Sequence, residues 1–182
     1  MTWLRAFLSD DSGNATIEFC FVIPIAMTIF MASVEASLYM ARHAMLERSV
    51  DIVVRDIRLG HYDTLTHAQL KTEICAGGML AKSVQSCVDS MKIWMQPINT
   101  ANFAMVAPPR FCVDTSKPIN PLLEPTGTEF AYGSDNEIML MRICLKEKPM
   151  FPTSVIGAGM IVGEPDGSYA LVTTTVFVNE PG

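Results

Sequence analysis

Two sets of residues in this chain are of a type and spacing to do chemistry. Gly13 and Glu18 stand five positions apart in Gly-Asn-Ala-Thr-Ile-Glu-Phe, and Glu18 opens directly onto Phe19 and a long apolar run. A carboxylate at the mouth of a membrane helix is unfavourable, so its presence there points to a task. The second set is sulfur. Of the five cysteines, Cys20 falls inside the apolar run and reads as a small apolar side chain. Cys75, Cys87, Cys112 and Cys144 lie beyond it, and an even number there suits two disulfides in an oxidising compartment. Cys75 and Cys87 flank a short segment and are expected to pair, which leaves Cys112 for Cys144. Four cysteines nevertheless allow three pairings.

Other chemistries find little support. Zinc needs ligands at close spacing, yet there is no Cys-x-x-Cys pair and no histidine near any cysteine. His43, His61 and His67 are isolated and read as surface residues. The segment beyond the apolar run offers no His and Asp beside a nucleophile, no Gly-rich phosphate loop and no metal-spaced cluster, so neither a catalytic set nor a cofactor site is expected. Net charge is -6, and the 13 Lys plus Arg are scattered, which argues against nucleic acid as a partner. The several methionines, among them Met27, Met31, Met40, Met45 and Met91, read as gap-filling core residues rather than a metal path.

The elements that position these groups follow from hydropathy. No residue in 19–34 is charged, and only Glu18 and Glu35 interrupt 15–41. About 20 apolar residues cross a hydrocarbon core, so Glu18 and Glu35 fall near its two edges. Glu35 is read as exposed at the outer edge, with Arg42 two turns on as its one alternative partner. A secretory signal peptide fits less well: residues 1–13 hold only Arg5 against Asp10 and Asp11, and no Ala-x-Ala site follows. The positive-inside rule leans the wrong way, because Arg42 and Arg48 oppose Arg5. The cysteines decide the orientation, with a short N-terminus inside and the cysteine-bearing part outside.

Helical character continues past the membrane to about residue 59. Leu46, Val50, Val53 and Ile57 recur at steps of four, three and four as one apolar stripe, while Glu47, Asp51, Arg55 and Arg58 occupy another face. Gly60 is a stop signal, and Pro24 is expected to kink the membrane half. A short helix is expected over 66–75 with Thr66 as its cap, interrupted at Gly77 and Gly78. Strands are expected at 88–96, 110–114, 137–146 and 169–178, with turns at 132–136 and 165–168 and irregular chain over 149–167. The expected fold is α+β, a long N-terminal helix packed on a small antiparallel sheet with disulfides. Its organisation is 1–13 as a leader, 14–41 as the membrane helix and 42–182 as an extracytoplasmic domain.

Four features together resemble a known family. They are Ser-Gly followed by Ala-Thr-Ile-Glu-Phe19; Pro24 six residues after Glu18; the long helix ending in a charged segment and followed by Ile74-Cys75 and Cys87; and Phe177-Val-Asn-Glu-Pro181 after a final strand. The sequence resembles the TadE-like minor pilins, or pseudopilins, of bacterial tight-adherence pili. The resemblance implies a prepilin peptidase that cuts after Gly13 and makes Asn14 the new amino terminus. It implies that Glu18 and Phe19 serve processing, assembly or both, and that about 19–40 packs against other pilin helices. Membrane lipid and the inner-membrane pilus assembly platform are the further implied partners, and the bacterial inner membrane is the implied location. Asn14 departs from the pattern in being polar where many type IV pilins place an aromatic residue, and the leader is only weakly positive.

The competing reading is an unprocessed single-pass anchor that carries a periplasmic binding module; a tethered enzyme is the weakest alternative. Processing separates the first two. Mass spectrometry of protein from the native host is expected to find a chain beginning at Asn14, and Gly13→Val is expected to abolish the cut. A stable uncut N-terminus beside an active prepilin peptidase contradicts the pilin reading.

Overall fold

The computed structural model describes residues 14–62, 65–77, 83–102, 112–115, 130–134 and 136–180. Gly13 with the expected leader, Gly78, the 110–111 part of one expected strand and Asp135 of one turn lie outside them. Helix α1 (Asn14–Arg58) runs 45 residues without a glycine and continues through Pro24. Proline has no N–H, so the carbonyl of Cys20, four residues back, lacks its helical donor. The far end closes on Gly60, at φ 68°. Gly60 N–H donates to the Ile57 carbonyl at 3.1 Å and His61 N–H to that of Asp56 at 3.1 Å. These two bonds satisfy carbonyls that the helix end would leave open, and only a left-handed residue allows them.

Helix α2 (His67–Gly77) begins as expected. Thr66 Oγ1 accepts from Gln69 N–H at 3.3 Å, while Thr66 N–H donates to Gln69 Oε1 at 3.0 Å, a reciprocal capping box. Helix α3 (Val84–Ser90) is capped by Ser83, whose hydroxyl accepts from Ser86 N–H at 3.2 Å. The strand expected from Val88 therefore starts later, as β1 (Met91–Pro97). The cap and the Cys75–Cys87 disulfide keep 88–90 in the helical turn. Strand β2 (Ile138–Glu147) and strand β3 (Tyr169–Val178) complete a three-stranded antiparallel sheet in the order β1-β2-β3. Between them lies a short helix, α4 (Val155–Met160), where irregular chain was expected; its cap, Ser154, accepts from Gly157 N–H at 3.0 Å. Cys112 to Asp114 form no strand, against expectation, because the Cys112–Cys144 disulfide rather than a backbone ladder holds them beside β2.

One face of the sheet is the core. Met91 pairs with Leu145, Ile93 with Ile143 and Met95 with Met141, and Leu145 pairs in turn with Leu171. All seven are essentially inaccessible, and Leu46, Val50, Val53 and Ile57 of α1 join them with Leu70 and Ile74 of α2. The expected stripe on α1 is thus the seam that carries the domain. Met91 is a core methionine as read, but Met27, Met40 and Met45 are exposed. His67 is buried, not on the surface, with its ring edge-on to Phe130 at 5.2 Å between centroids. Cys75–Cys87 and Cys112–Cys144 are both bridged, with Cα separations of 5.9 and 5.7 Å. Closing these loops removes about 3 to 4 kcal/mol of chain entropy each from the unfolded state.

The opposite face of β2 holds a buried ion cluster. Lys146 Nζ bonds Glu164 and lies 3.1 Å from Asp166 Oδ2. Asp166 also accepts from Thr115 N–H and Oγ1 and from Ser168 N–H and Oγ. Burial alone would raise the Asp166 carboxyl, but the bonds from Ser168, Thr115 and Lys146 prevail and hold it far below the ordinary carboxylate range. Burial would lower Lys146, yet its two acidic partners raise it. A depressed carboxylate contributes stability above its ordinary value of 3.8, lost as pH falls through the lower folded value. A raised lysine contributes below its ordinary value of 10.5, lost as pH climbs through the higher folded value. The unfolding midpoint of the full chain in detergent is therefore expected to gain nothing from acidification and to fall below about pH 4. Asp166→Asn is expected to flatten that acid limb.

Candidate functional site

Helix α1 divides into two zones of contact. From Thr16 to Phe30 every residue is exposed, including Phe19 and Phe21. From Met31 onward the side chains begin to be covered, and by Leu46 the stripe is fully buried. The helix is long and apolar enough to cross a membrane, with mean hydropathy 2.1 over its most apolar window, none of which is buried against the rest of the chain. Glu18 is exposed and pairs with no described side chain. Asn14 starts the helix one turn before it, while Gly13 lies outside the described residues. Glu18 and Phe19 thus occupy the bare end of α1, about 25 Å along the helix axis from Glu35.

Glu35 overturns its sequence reading. It is not exposed at an interface but fully buried, at 0% of its surface. Its carboxylate oxygens accept from Met150 N–H at 3.2 Å and from Phe151 N–H at 2.8 Å. Pro149 and Pro152 bracket these two amides in sequence, and neither proline has a donor to offer. The carboxylate therefore fits the only two adjacent N–H groups in that segment and pins it to α1. Hydrogen bonds to a charged acceptor are about twice as strong as neutral ones.

Arg42 does not serve Glu35. Its Nη1 donates to the Lys148 carbonyl at 3.1 Å and to the Tyr169 hydroxyl at 2.5 Å. Burial raises the Tyr169 phenol, and the Arg42 guanidinium opposes this without cancelling it. The Tyr39 and Tyr169 rings lie 5.6 Å apart, and His43 Nε2 is 3.2 Å from the Val172 carbonyl. Glu35, Tyr39, Arg42 and His43 recur at helical spacing, so one face of α1 docks the 148–151 segment and β3. Sequence reasoning missed this belt. Its one signal was a charged residue in an apolar run, followed at i+4 and i+7 by Tyr39 and Arg42.

One further cleft is formed by the described residues. A cleft of about 520 Å³ is lined by Arg42, Lys146, Lys148, Thr115 and Ser168 among others. Two of its three cations are already spent, Arg42 on Tyr169 and Lys146 on Glu164 and Asp166. Among the described residues, no three His, Cys, Asp or Glu side chains converge as metal ligands. No protein-family model matches the chain, and neither the curated proteins nor the solved structures include a match.

Glu35→Ala removes the acceptor and leaves two amides unsatisfied, an expected loss of about 3 kcal/mol. Hydrogen exchange followed by mass spectrometry is expected to show faster exchange at Met150 and Phe151, with β2 and β3 still protected. Glu35→Gln retains one acceptor and is expected to recover about half of the loss.

Proposed function

We propose that this chain is a membrane-anchored, non-catalytic assembly subunit of a tight-adherence pilus, a minor pilin or pseudopilin processed after Gly13. The single observation that carries the reading is the bare end of α1. Residues 16–30 are exposed on all sides, and Glu18 is the one charge among them. A helix with that face free is suited first to lipid and then to the helices of neighbouring subunits. In this reading the N-terminus is cytoplasmic and the disulfide-bonded domain is periplasmic, which suits two bridges in an oxidising compartment. The partners are other pilins through α1, the prepilin peptidase, the inner-membrane assembly platform and membrane lipid.

The mechanism is charge pairing. Cleavage creates an ammonium group on Asn14 one helical turn from Glu18. An exposed carboxylate at that level neutralises the amino terminus of a neighbouring subunit, and in low dielectric an unpaired charge of either sign is strongly unfavourable. The pairing therefore favours association and fixes the axial register of the helices.

Glu18→Gln tests it, because size and polarity are kept and the charge is removed. The variant is expected to insert at wild-type levels but to lose most intramembrane crosslinks to other pilins, since an ammonium would be left unpaired at the packing surface. Cleavage is expected to persist, because the bond attacked lies five residues away. Undiminished crosslinking and normal pili in Glu18→Gln would make the carboxylate a bystander at the interface and remove the mechanism.

A further inference from the structure

The segment that Glu35 pins has a composition unlike its surroundings. Residues 149–163 contain no charged side chain, while Lys146, Glu147 and Lys148 precede them and Glu164 and Asp166 follow. Within this stretch Met150, Val155 and Val162 are exposed, the latter two at 77% and 79%. Three open apolar side chains within one uncharged stretch raise the question of a cover in a way that single exposed residues do not. The question is which cover, and position decides it.

Helix α4 packs against α1, and Met150 and Phe151 are bonded to Glu35. About 20 residues span a hydrocarbon core, so counting from Glu18 brings its far edge to about residue 38. Glu35, to which this segment is tied, then lies within the outer boundary of the bilayer. The bare apolar face of α1 at 16–30 leads directly up to the same level. Whatever solvates that face meets the segment bonded to Glu35 next.

The backbone is prepared for such a solvent. Apolar surroundings require that N–H groups be satisfied from within. Met150 and Phe151 N–H go to Glu35, Ser154 N–H to the Phe151 carbonyl at 3.0 Å, Gly157 N–H to Ser154 Oγ, and Ala158 N–H to the Ser154 carbonyl at 2.8 Å. The loop is drawn so tightly that a Cβ on Gly157 would collide with the Phe151 carbonyl oxygen. A carboxylate buried against two backbone amides is a costly device for a loop in water, where the amides would be satisfied anyway. It is a reasonable one for a loop that water does not reach.

We propose that 149–163 is a second membrane-contacting element, lying flat in the outer headgroup–acyl boundary beside the point where α1 emerges. Its partner is a lipid surface, with Met150, Val155 and Val162 as the inserted side chains and Lys148 at headgroup level. Monotopic elements of this kind insert about 5–10 Å. Two contacts, one spanning and one flat, fix the tilt and rotation of the domain on the bilayer, which a single helix leaves free. The inference rests on α1 being a membrane anchor and is independent of the pilus assignment.

The full chain with both disulfides intact is reconstituted into phosphatidylcholine–phosphatidylglycerol vesicles carrying a polarity-sensitive thiol label. One sample is labelled at native Cys20, the one free cysteine among the described residues. Two others carry Cys20→Ser with either Val155→Cys or Asp51→Cys. Both new positions are exposed, so folding is unaffected. Lipids bearing a spin label at a shallow acyl position act as quencher. The expected result is quenching of about twofold at Cys20 and at Val155→Cys, with Asp51→Cys unaffected. A quenched Cys20 beside an aqueous, unquenched Val155→Cys overturns the proposal and leaves the anchor standing. A Val155→Cys label shielded from water but not quenched by lipid assigns the surface to a protein partner and overturns it too. An aqueous Cys20 removes the anchor and the proposal together. As a second reading, Val155→Asp with Val162→Asp is expected to abolish quenching at a Met150→Cys label, and unchanged quenching there contradicts insertion.

Discussion

One helix joins an uncovered apolar stretch to a protein core without a break. Helix α1 runs over Asn14–Arg58 with one ladder bond missing at Pro24, and its side chains are uncovered at one end and packed in a protein core at the other. Helices keep all their hydrogen bonds internal, so the backbone is indifferent to this change. The side chains are not. Every residue to Phe30 is apolar, small or hydroxylated apart from Glu18 and Asn14, and only from Leu46 does a one-sided stripe appear. Hydroxyls in the first zone are turned inward: Thr28 Oγ1 donates to the Ile25 carbonyl and Ser33 Oγ to that of Ile29, both at 2.8 Å. Both hydroxyls are thereby satisfied by the helix itself.

The handover between the zones falls at Glu35, Tyr39, Arg42 and His43. Here the polar groups of α1 bind backbone carbonyls and amides of a segment more than a hundred residues away in sequence. Apolar contact alone would let the domain slide or rotate on a smooth stripe of Leu, Val and Ile. A carboxylate that takes two particular amides permits one register only. Both ends of the docked surface are fixed in this manner, since Arg58 reaches Glu180 at 3.1 Å at the other end, although that exposed pair adds little energy.

Periodic features were legible in the sequence because each is a local pattern. The α1 stripe, the cap at Thr66, the Gly60 stop, the long β2 and β3 strands and the bridged cysteines need no knowledge of the fold. Three readings failed where a distant partner decides the outcome. Glu35 looks like an interfacial charge until the amides of 150 and 151 are brought to it. His67 looks exposed until Phe130 closes over it. Residues 88–90 carry a strand-like alternation, but a disulfide and a serine cap hold them in α3. Helix α4 is too short to leave a periodic signal, and its Ser154 cap looks like any loop serine. For the processing end, the reading rests on Gly13 and Glu18 as sequence alone, since the structure adds only that the Glu18 side chain is open.

The position of β3 bears on the order of folding. This strand is the sole ladder partner of the outer edge of β2, it packs against α1, and Asn179 just past it closes the 133–137 turn. The contacts of β3 with α1 therefore join segments separated by well over a hundred residues. Contacts of such separation form slowly, because loop closure precedes any gain. During synthesis α1 emerges long before β3, and until then its stripe from Leu46 to Ile57 is covered only as far as α2 reaches through Leu70 and Ile74. Docking of β3 onto α1 is consequently a late step, and the part of the stripe it covers stays open to holding factors until then.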